Sequence, residues 1–334
     1  MSSFKNIPTN IISGFLGAGK TTAIQYLIKH KPPGESWAIV VNEFGQIGVD
    51  GKLLQNDAVA VKEIPGGCLC CIASQSFSVG LNQIIKQHNP QRIIIEPTGL
   101  GHPEKLIDTL SSKHYESVLD LKAVINLLDA RNLSKPRYLQ HETFMSQIAI
   151  ADVLVANKLD QYAEKDRDVF YQFVNSLDRP KSHIQMLQYA KINIEWLDIN
   201  HDQQRVVNLS KTHNAHSHSD NSTTIGDACW QFIEGHADDY NSVSWQINNS
   251  VVFDQQELIS WLTSVRQESK VDRIKGILRT KYGWISINMT EHESEVLTVE
   301  SFMVNILEIV SYAHLLAEKL EVELRSCCLP CRDA

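Results

Sequence analysis

The segment Gly14-Phe15-Leu16-Gly17-Ala18-Gly19-Lys20-Thr21 narrows what this chain can fold into more than any other feature. It completes the pattern G-x-x-x-x-G-K-[ST] between an apolar run, Asn10-Ile11-Ile12-Ser13, and a helical pattern over Thr22–His30. Strand, glycine loop and helix start, in that order, make an anion cradle. Glycines let backbone N–H groups turn toward phosphate oxygens, and the helix start adds its positive end. Gly14, Gly17, Ala18, Gly19 and Thr22 are therefore expected around a nucleotide's phosphates. Lys20 supplies a cation to the β- and γ-phosphates, and the Thr21 hydroxyl is the expected Mg²⁺ ligand.

The surrounding pattern carries that cradle into a whole fold. Short β-branched runs at Thr9–Ser13, Trp37–Val41, Val59–Glu63, Arg92–Glu96, Ala123–Leu128 and Asp152–Ala156 alternate with helical stretches. Such alternation predicts βαβ units, a mostly parallel sheet covered on both faces, and ligands at the carboxyl ends of the strands. The fold expected is therefore an α/β P-loop NTPase over residues 1–200. A polar, histidine-bearing linker is expected at 201–226, with His213, His216 and His218, and a small α+β domain at 227–334. In that last part strands are expected at Asp227–Ile233, Ser244–Ile247 with Val251–Phe253, Arg273–Arg279, Trp284–Met289 and Glu295–Val299. Helices are expected at Gln255–Gln267 and Phe302–Leu324.

Two further motifs fall at strand ends. Ile93-Ile94-Ile95-Glu96-Pro97-Thr98-Gly99 is a buried-strand run closed by a carboxylate, which suits Glu96 to a Walker-B role acting on the metal through water. The Gly99 N–H is a candidate γ-phosphate donor. Asn157-Lys158-Leu159-Asp160 follows another strand, and the Asp160 carboxylate can accept both N1–H and the 2-amino group of guanine. Adenine offers no such donor pair, so the nucleotide expected is GTP, with GDP as product. Glu43 and Asp50, in the glycine-bearing stretch Asn42–Gly51, are candidates for Mg²⁺ or a second metal, and Asp50 joins Lys20, Thr21 and Glu96 in the catalytic set.

The net charge of −8 excludes the basic face that nucleic acid or an anionic membrane would require. No apolar run approaches the ~20 residues of a membrane span, and the first residues lack a secretory signature. Of seven cysteines, six lie in two tight clusters, 68/70/71 and 327/328/331. Cys68, Cys70 and Cys71 are too close in sequence to pair with one another without strain. Clustered free thiols point to a reducing, cytoplasmic setting and to one of three uses: a soft metal, redox sensing or nucleophilic chemistry. Cys327, Cys328 and Cys331 fit either a C-x-x-C metal site or an accidental thiol cluster.

Taken in order, Gly14–Thr22, Asn42-Glu43-Phe44-Gly45, Gly67-Cys68-Leu69-Cys70-Cys71, Glu96-Pro97-Thr98-Gly99 and Asn157-Lys158-Leu159-Asp160 resemble the CobW-like GTPases, relatives of the nickel-insertion GTPases of urease and hydrogenase. The stretch Glu96–Pro103 is similar to the bacterial zinc-binding branch, and Arg273-Ile274-Lys275-Gly276 resembles the CobW C-terminal domain. The resemblance implies a low-turnover GTPase holding Zn²⁺, or Co²⁺, on the thiolates of Cys68, Cys70 and Cys71 and handing it to a client metalloprotein. Glu43, His102, a water or a group from a client are candidates for the remaining ligand. Many members carry Glu where this chain has Gln46, so one carboxylate that would assist metal binding is missing. A zinc buffer or sensor with a regulatory nucleotide site, and a cobalt-insertion partner in cofactor assembly, are the rival readings. A homo-oligomer fits as well as a monomer.

Overall fold

A computed structural model describes residues 6–41, 59–63, 75–99, 103–205, 223–227, 229–237, 240–268, 270–299, 301–302 and 304–329. These fall into two compact units, residues up to 205 in the first and from 223 in the second. In the first unit the strands are β1 (Ile7–Gly14), β2 (Trp37–Val41), β3 (Val59–Glu63), β4 (Arg92–Glu96), β5 (Leu119–Asp129), β6 (Val153–Asn157) and β7 (His183–Met186). Helices α1 (Lys20–His30), α2 (Gln75–His88), α3 (Pro103–Leu110), α4 (Pro136–Leu139), α5 (Glu142–Ile150) and α6 (Glu164–Asn175) lie between them.

The strands form one parallel sheet of order β3-β2-β4-β1-β5-β6-β7. Alternation along each strand sorts side chains between the two covering layers. Ile11, Ala38, Val40, Ile93 and Ile95 pack with Phe77, Leu81 and Ile84 of α2 and Leu106 of α3. Ile12, Ile39, Val41, Ile94 and Ile125 face the other way, against Ala23, Ile24 and Leu27 of α1. Period-two alternation with both sets apolar is what a doubly covered parallel sheet requires. From β1 the chain runs outward to β2 and β3; from β4 it runs the opposite way, to β5. That reversal opens a crevice at the carboxyl ends of β1 and β4, and the phosphate loop and Glu96 both lie there.

The second unit is an antiparallel sheet of order β13-β12-β11-β14-β10-β9-β8, covered on one face by helices. Its strands are β8 (Thr223–Asp227), β9 (Trp230–Ala237), β10 (Tyr240–Asn248), β11 (Val271–Thr280), β12 (Gly283–Thr290), β13 (Ser294–Val299) and β14 (Val304–Ser311). The helices are α7 (Gln255–Glu268) and α8 (Ala317–Ser326), whose Leu258, Leu262, Leu320 and Leu324 meet Trp245, Ile274, Ile287 and Leu307 from the sheet. Two indoles are satisfied by acids of α8, Trp245 Nε1 donating to Glu321 Oε2 at 2.5 Å and Trp261 Nε1 to Glu323 Oε2 at 2.9 Å.

Several sequence expectations are corrected here. The helix expected over Phe302–Leu324 is β14 followed by the shorter α8. An apolar run as short as Val304–Ser311 reads equally as helix or central strand by periodicity. Placement between β10 and β11, with Leu307 and Ile309 in the core, decides it as strand. The strand expected across Asp227–Ile233 is divided into β8 and β9, and residues 251–253 lie outside the named strands. Residues 223–226, expected within the linker, belong to β8, while His213, His216 and His218 lie outside the described residues. No described helix is long and apolar enough to cross a membrane.

Candidate nucleotide site

The phosphate loop is shaped by residues that only glycine can replace without strain. Gly14 and Gly19 adopt φ of +146° and +99°. A Cβ on Gly14 would sit 2.3 Å from Leu127 O, and one on Gly19 would sit 2.4 Å from Asn157 Nδ2. Both tight approaches explain the loop's sequence better than flexibility does. Lys20 opens α1, is 4% exposed, and donates to Gly14 O at 2.9 Å and Phe15 O at 3.4 Å, so its ammonium is folded over the loop. Beneath the loop, Phe15 is held edge-on by Tyr138 and Phe144, ring centroids 5.6 and 5.5 Å away. Thr22 is exposed beside the buried Ala18.

A hydrogen bond joins the second half of the site to the first. Thr21 Oγ1 donates to Glu96 Oε1 at 2.8 Å, joining the start of α1 to the end of β4. Glu96 is 2% exposed, so its carboxylate is buried against the start of α1. Gly99 closes against the loop: a Cβ there would lie 2.8 Å from Leu16 Cδ2, and its carbonyl accepts from Gln147 Nε2 at 2.9 Å. Thus Lys20, Thr21, Glu96 and Gly99 converge at the carboxyl ends of β1 and β4.

Asn157 does more than its motif suggests. Its Nδ2 donates to Ala18 O at 3.0 Å, and its Oδ1 accepts from Ala190 N at 2.8 Å. One buried amide therefore ties the phosphate loop to the segment after β7. That segment is unusual: Tyr189 and Ala190, neither of them glycine, take φ of +57° and +50°. Left-handed backbone at such residues costs about 1–2 kcal/mol each and persists only where the surroundings impose it. Tyr189 is 60% exposed, with Lys191 Nζ 5.7 Å from its ring centre. Sequence reasoning missed this segment, since Gln188-Tyr189-Ala190-Lys191 carries no strong signature; a loop following the last parallel strand was the available signal.

Lys158 also takes positive φ, +70°, and Asp160 is exposed in the turn that follows. The turn is pinned by Tyr162, whose hydroxyl donates to Asn157 O and accepts from Ala130 N at 2.8 Å. Burial raises the Tyr162 pKa well above the usual phenol value, so this group stays a donor. Asn157→Ala should cost about 2 kcal/mol of stability by stranding Ala18 O and Ala190 N. It should also weaken fluorescent GDP binding at least about tenfold, as read by titration alongside thermal unfolding.

At the opposite end of β6, Asp152 is wholly buried yet charged. Its carboxylate accepts from His201 Nδ1 at 2.8 Å, Arg205 Nε at 3.1 Å, Val124 N at 2.9 Å and Asp202 N at 3.1 Å. Burial alone would raise its pKa; the His201 hydrogen bond and charge, with the two backbone N–H groups, outweigh this and lower it. Nearby, Lys181 caps the end of α5 by donating to Ile148 O, Ala149 O and Ala151 O.

The candidate metal residues Glu43, Asp50, Cys68, Cys70, Cys71 and His102, together with Gln46 and Cys331, lie outside the described residues. Among the described residues no group of three or more His, Cys, Asp and Glu side chains could hold a metal ion. Cys327 belongs to the core of the second unit, and burial pushes its thiol pKa up to about 11.

Residues 8–187 match the CobW/HypB/UreG nucleotide-binding-domain family. The chain is 36% identical over 287 residues to the zinc chaperone YeiR of Escherichia coli K12, covering 84% of this chain and 85% of that protein. It is 31% identical over 182 residues to the zinc chaperone CobW of a Sinorhizobium species, covering 46% of this chain and 51% of that one. The crystal structure of the Zn(II)-bound YjiA GTPase from E. coli is similar over 96% of this chain and 99% of its own, at 18% identity and a TM-score of 0.39. By the extent of the family match and the length and identity of the first of these alignments, the chain belongs to the CobW/HypB/UreG family of nucleotide-binding proteins.

Proposed function

We propose that this protein is a GTP-hydrolysing zinc chaperone in which the nucleotide state controls loading and release of the metal to client metalloproteins. The observation that carries the nucleotide half is the Thr21–Glu96 hydrogen bond, which sets a hydroxyl and a buried carboxylate together beside Lys20. Phosphoryl transfer asks little covalent chemistry of a protein and much positioning and charge neutralisation, which this arrangement supplies. Thr21 and Glu96 would hold Mg²⁺, directly and through water. The bound Mg²⁺ would neutralise charge that develops on the phosphate oxygens. Lys20 would neutralise the same charge from the loop side, and the Gly99 N–H would donate to the γ-phosphate.

The zinc half is supported by the names of the relatives and by the thiols of Cys68, Cys70 and Cys71, which follow β3 in the chain and precede α2. Zinc is cargo in this reading, carried on two or three thiolates with one position left for a client's ligand. Zinc affinity is expected to be about tenfold higher with a non-hydrolysable GTP analogue than with GDP, measured by competition against a chromophoric chelator. Equal affinities would remove the coupling, because a ligand shifts only the equilibrium it binds differentially.

Guanine selection falls to Asp160, with Asn157 and Lys158 shaping the loop. Asp160→Asn exchanges an acceptor for a donor opposite the 2-amino group. GTP affinity should fall roughly 100-fold while xanthosine triphosphate, which carries a carbonyl there, gains; a site that reads hydrogen bonds rejects a mismatched partner strongly. Direct titration of both nucleotides decides it, and unchanged GTP binding would move base recognition elsewhere.

A further inference from the structure

The second unit carries a groove that the nucleotide and metal chemistry leaves unused. It has a volume of about 600 Å³ and lies at the β11–β12 hairpin, lined by Asn249, Arg279, Lys281, Gly283, Trp284 and Phe302 among others. Arg279 and Trp284 are directly paired across the two strands, on the sheet face opposite the helices. The Trp284 and Phe302 rings lie 6.5 Å apart, tilted by 57°. Gly283 turns the hairpin at φ +119°, and a Cβ there would meet nothing within 4 Å, so the turn leaves the groove open.

Charge gives the groove its selectivity. Among the described residues that line it there is no carboxylate. Arg279 is exposed, and its NH1 is anchored to Asn249 O at 2.7 Å, which aims the fork without consuming it. Lys281 pairs with Asp254 at 2.8 Å, but that carboxylate's other oxygen accepts from Gln256 N and Glu257 N at the start of α7. The local balance is thus positive on a chain of net charge −8. A planar cation beside two aromatic rings suits a carboxylate flanked by an aromatic or aliphatic side chain. Nucleic acid would need many phosphate contacts and a broad basic face, which the chain lacks.

We propose that this groove is a docking site for an acidic, aromatic-bearing peptide segment of a partner protein. It lies wholly within the second unit, so binding is independent of GTP and of zinc. The test uses the full chain and a fluorescein-labelled, acetylated hexapeptide Asp-Glu-Phe-Glu-Asp-Leu in polarisation titrations. Saturable binding is expected, weakened at least about tenfold by Arg279→Glu. Phe302→Ala should weaken it as well, and a counterpart peptide with Lys at every acidic position should not bind. GTP hydrolysis and the unfolding midpoint of both variants should match the parent. The proposal is overturned if the peptide fails to bind at millimolar concentration, if Arg279→Glu leaves binding unchanged, if a peptide with Ser for Phe binds equally well, or if labelled oligothymidine binds more tightly.

Discussion

Lys20→Ala is expected to lower kcat/KM for GTP by about two orders of magnitude or more while leaving the fold in place. The ammonium is folded onto Gly14 O and Phe15 O and lies within the phosphate cradle. Hydrogen bonds to charged groups are worth about 1.5–3 kcal/mol each, which alone is roughly 10- to 150-fold in phosphate affinity. Charge that develops on the phosphate oxygens in the transition state adds to that loss. Alanine keeps the helix start, so circular dichroism and the unfolding midpoint should change little. Single-turnover hydrolysis and a fluorescent-GDP titration give the two parts separately. Turnover within a factor of about three of the parent would show that the loop backbone carries the chemistry without its lysine.

The largest expected effect on stability lies at the far end of β6. Asp152→Ala removes the one carboxylate that His201 Nδ1 and Arg205 Nε share, in a site where all three side chains are at most 4% exposed. Arg205 keeps Asp202 Oδ2 at 3.5 Å and Pro180 O at 2.7 Å, so breaking this buried pairing is expected to cost about 3 kcal/mol, the low end for a buried pair and roughly 10 °C in unfolding midpoint for a unit of this size. The pH dependence has a definite sign. The folded carboxyl titrates lower than in the unfolded chain, so its stabilisation is complete above about pH 4 and is lost as pH falls through the folded pKa. The parent should therefore lose its advantage over the variant on acidification below about pH 4. Thermal melts of both proteins from neutral to acidic pH check this; a pH-independent difference would assign the effect to packing.

Much of the first unit was legible because its strands are β-branched runs with turn residues after them. Val40 and Val41 or Ile93, Ile94 and Ile95 have few other stable solutions than a doubly covered strand. The edge strand β7, His183-Ile184-Gln185-Met186, is half exposed and polar, so it carries no such signal. In the second unit β14 was misread because its pairing partners β10 and β11 lie far away in sequence, and nothing local distinguishes a central strand from a helix. Lys20, Thr21, Glu96 and Gly99, expected together from their spacing, are brought together by the fold at the carboxyl ends of β1 and β4. Tyr189 and Ala190 were not legible, because their role rests on backbone geometry imposed by Asn157, which leaves no mark on composition.

The double grip of Asn157 has an energetic consequence for how this site can change. A single amide fixes the glycine loop and the segment after β7, so neither can be altered as if the other were constant. Substitutions at Gly19 and at Ala190, which meet through that amide and whose Cβ positions would lie 3.9 Å apart, should be non-additive in a double-mutant cycle. The shapes of the two loops are then one trait with two faces, and a change that reshapes one must be accommodated in the other.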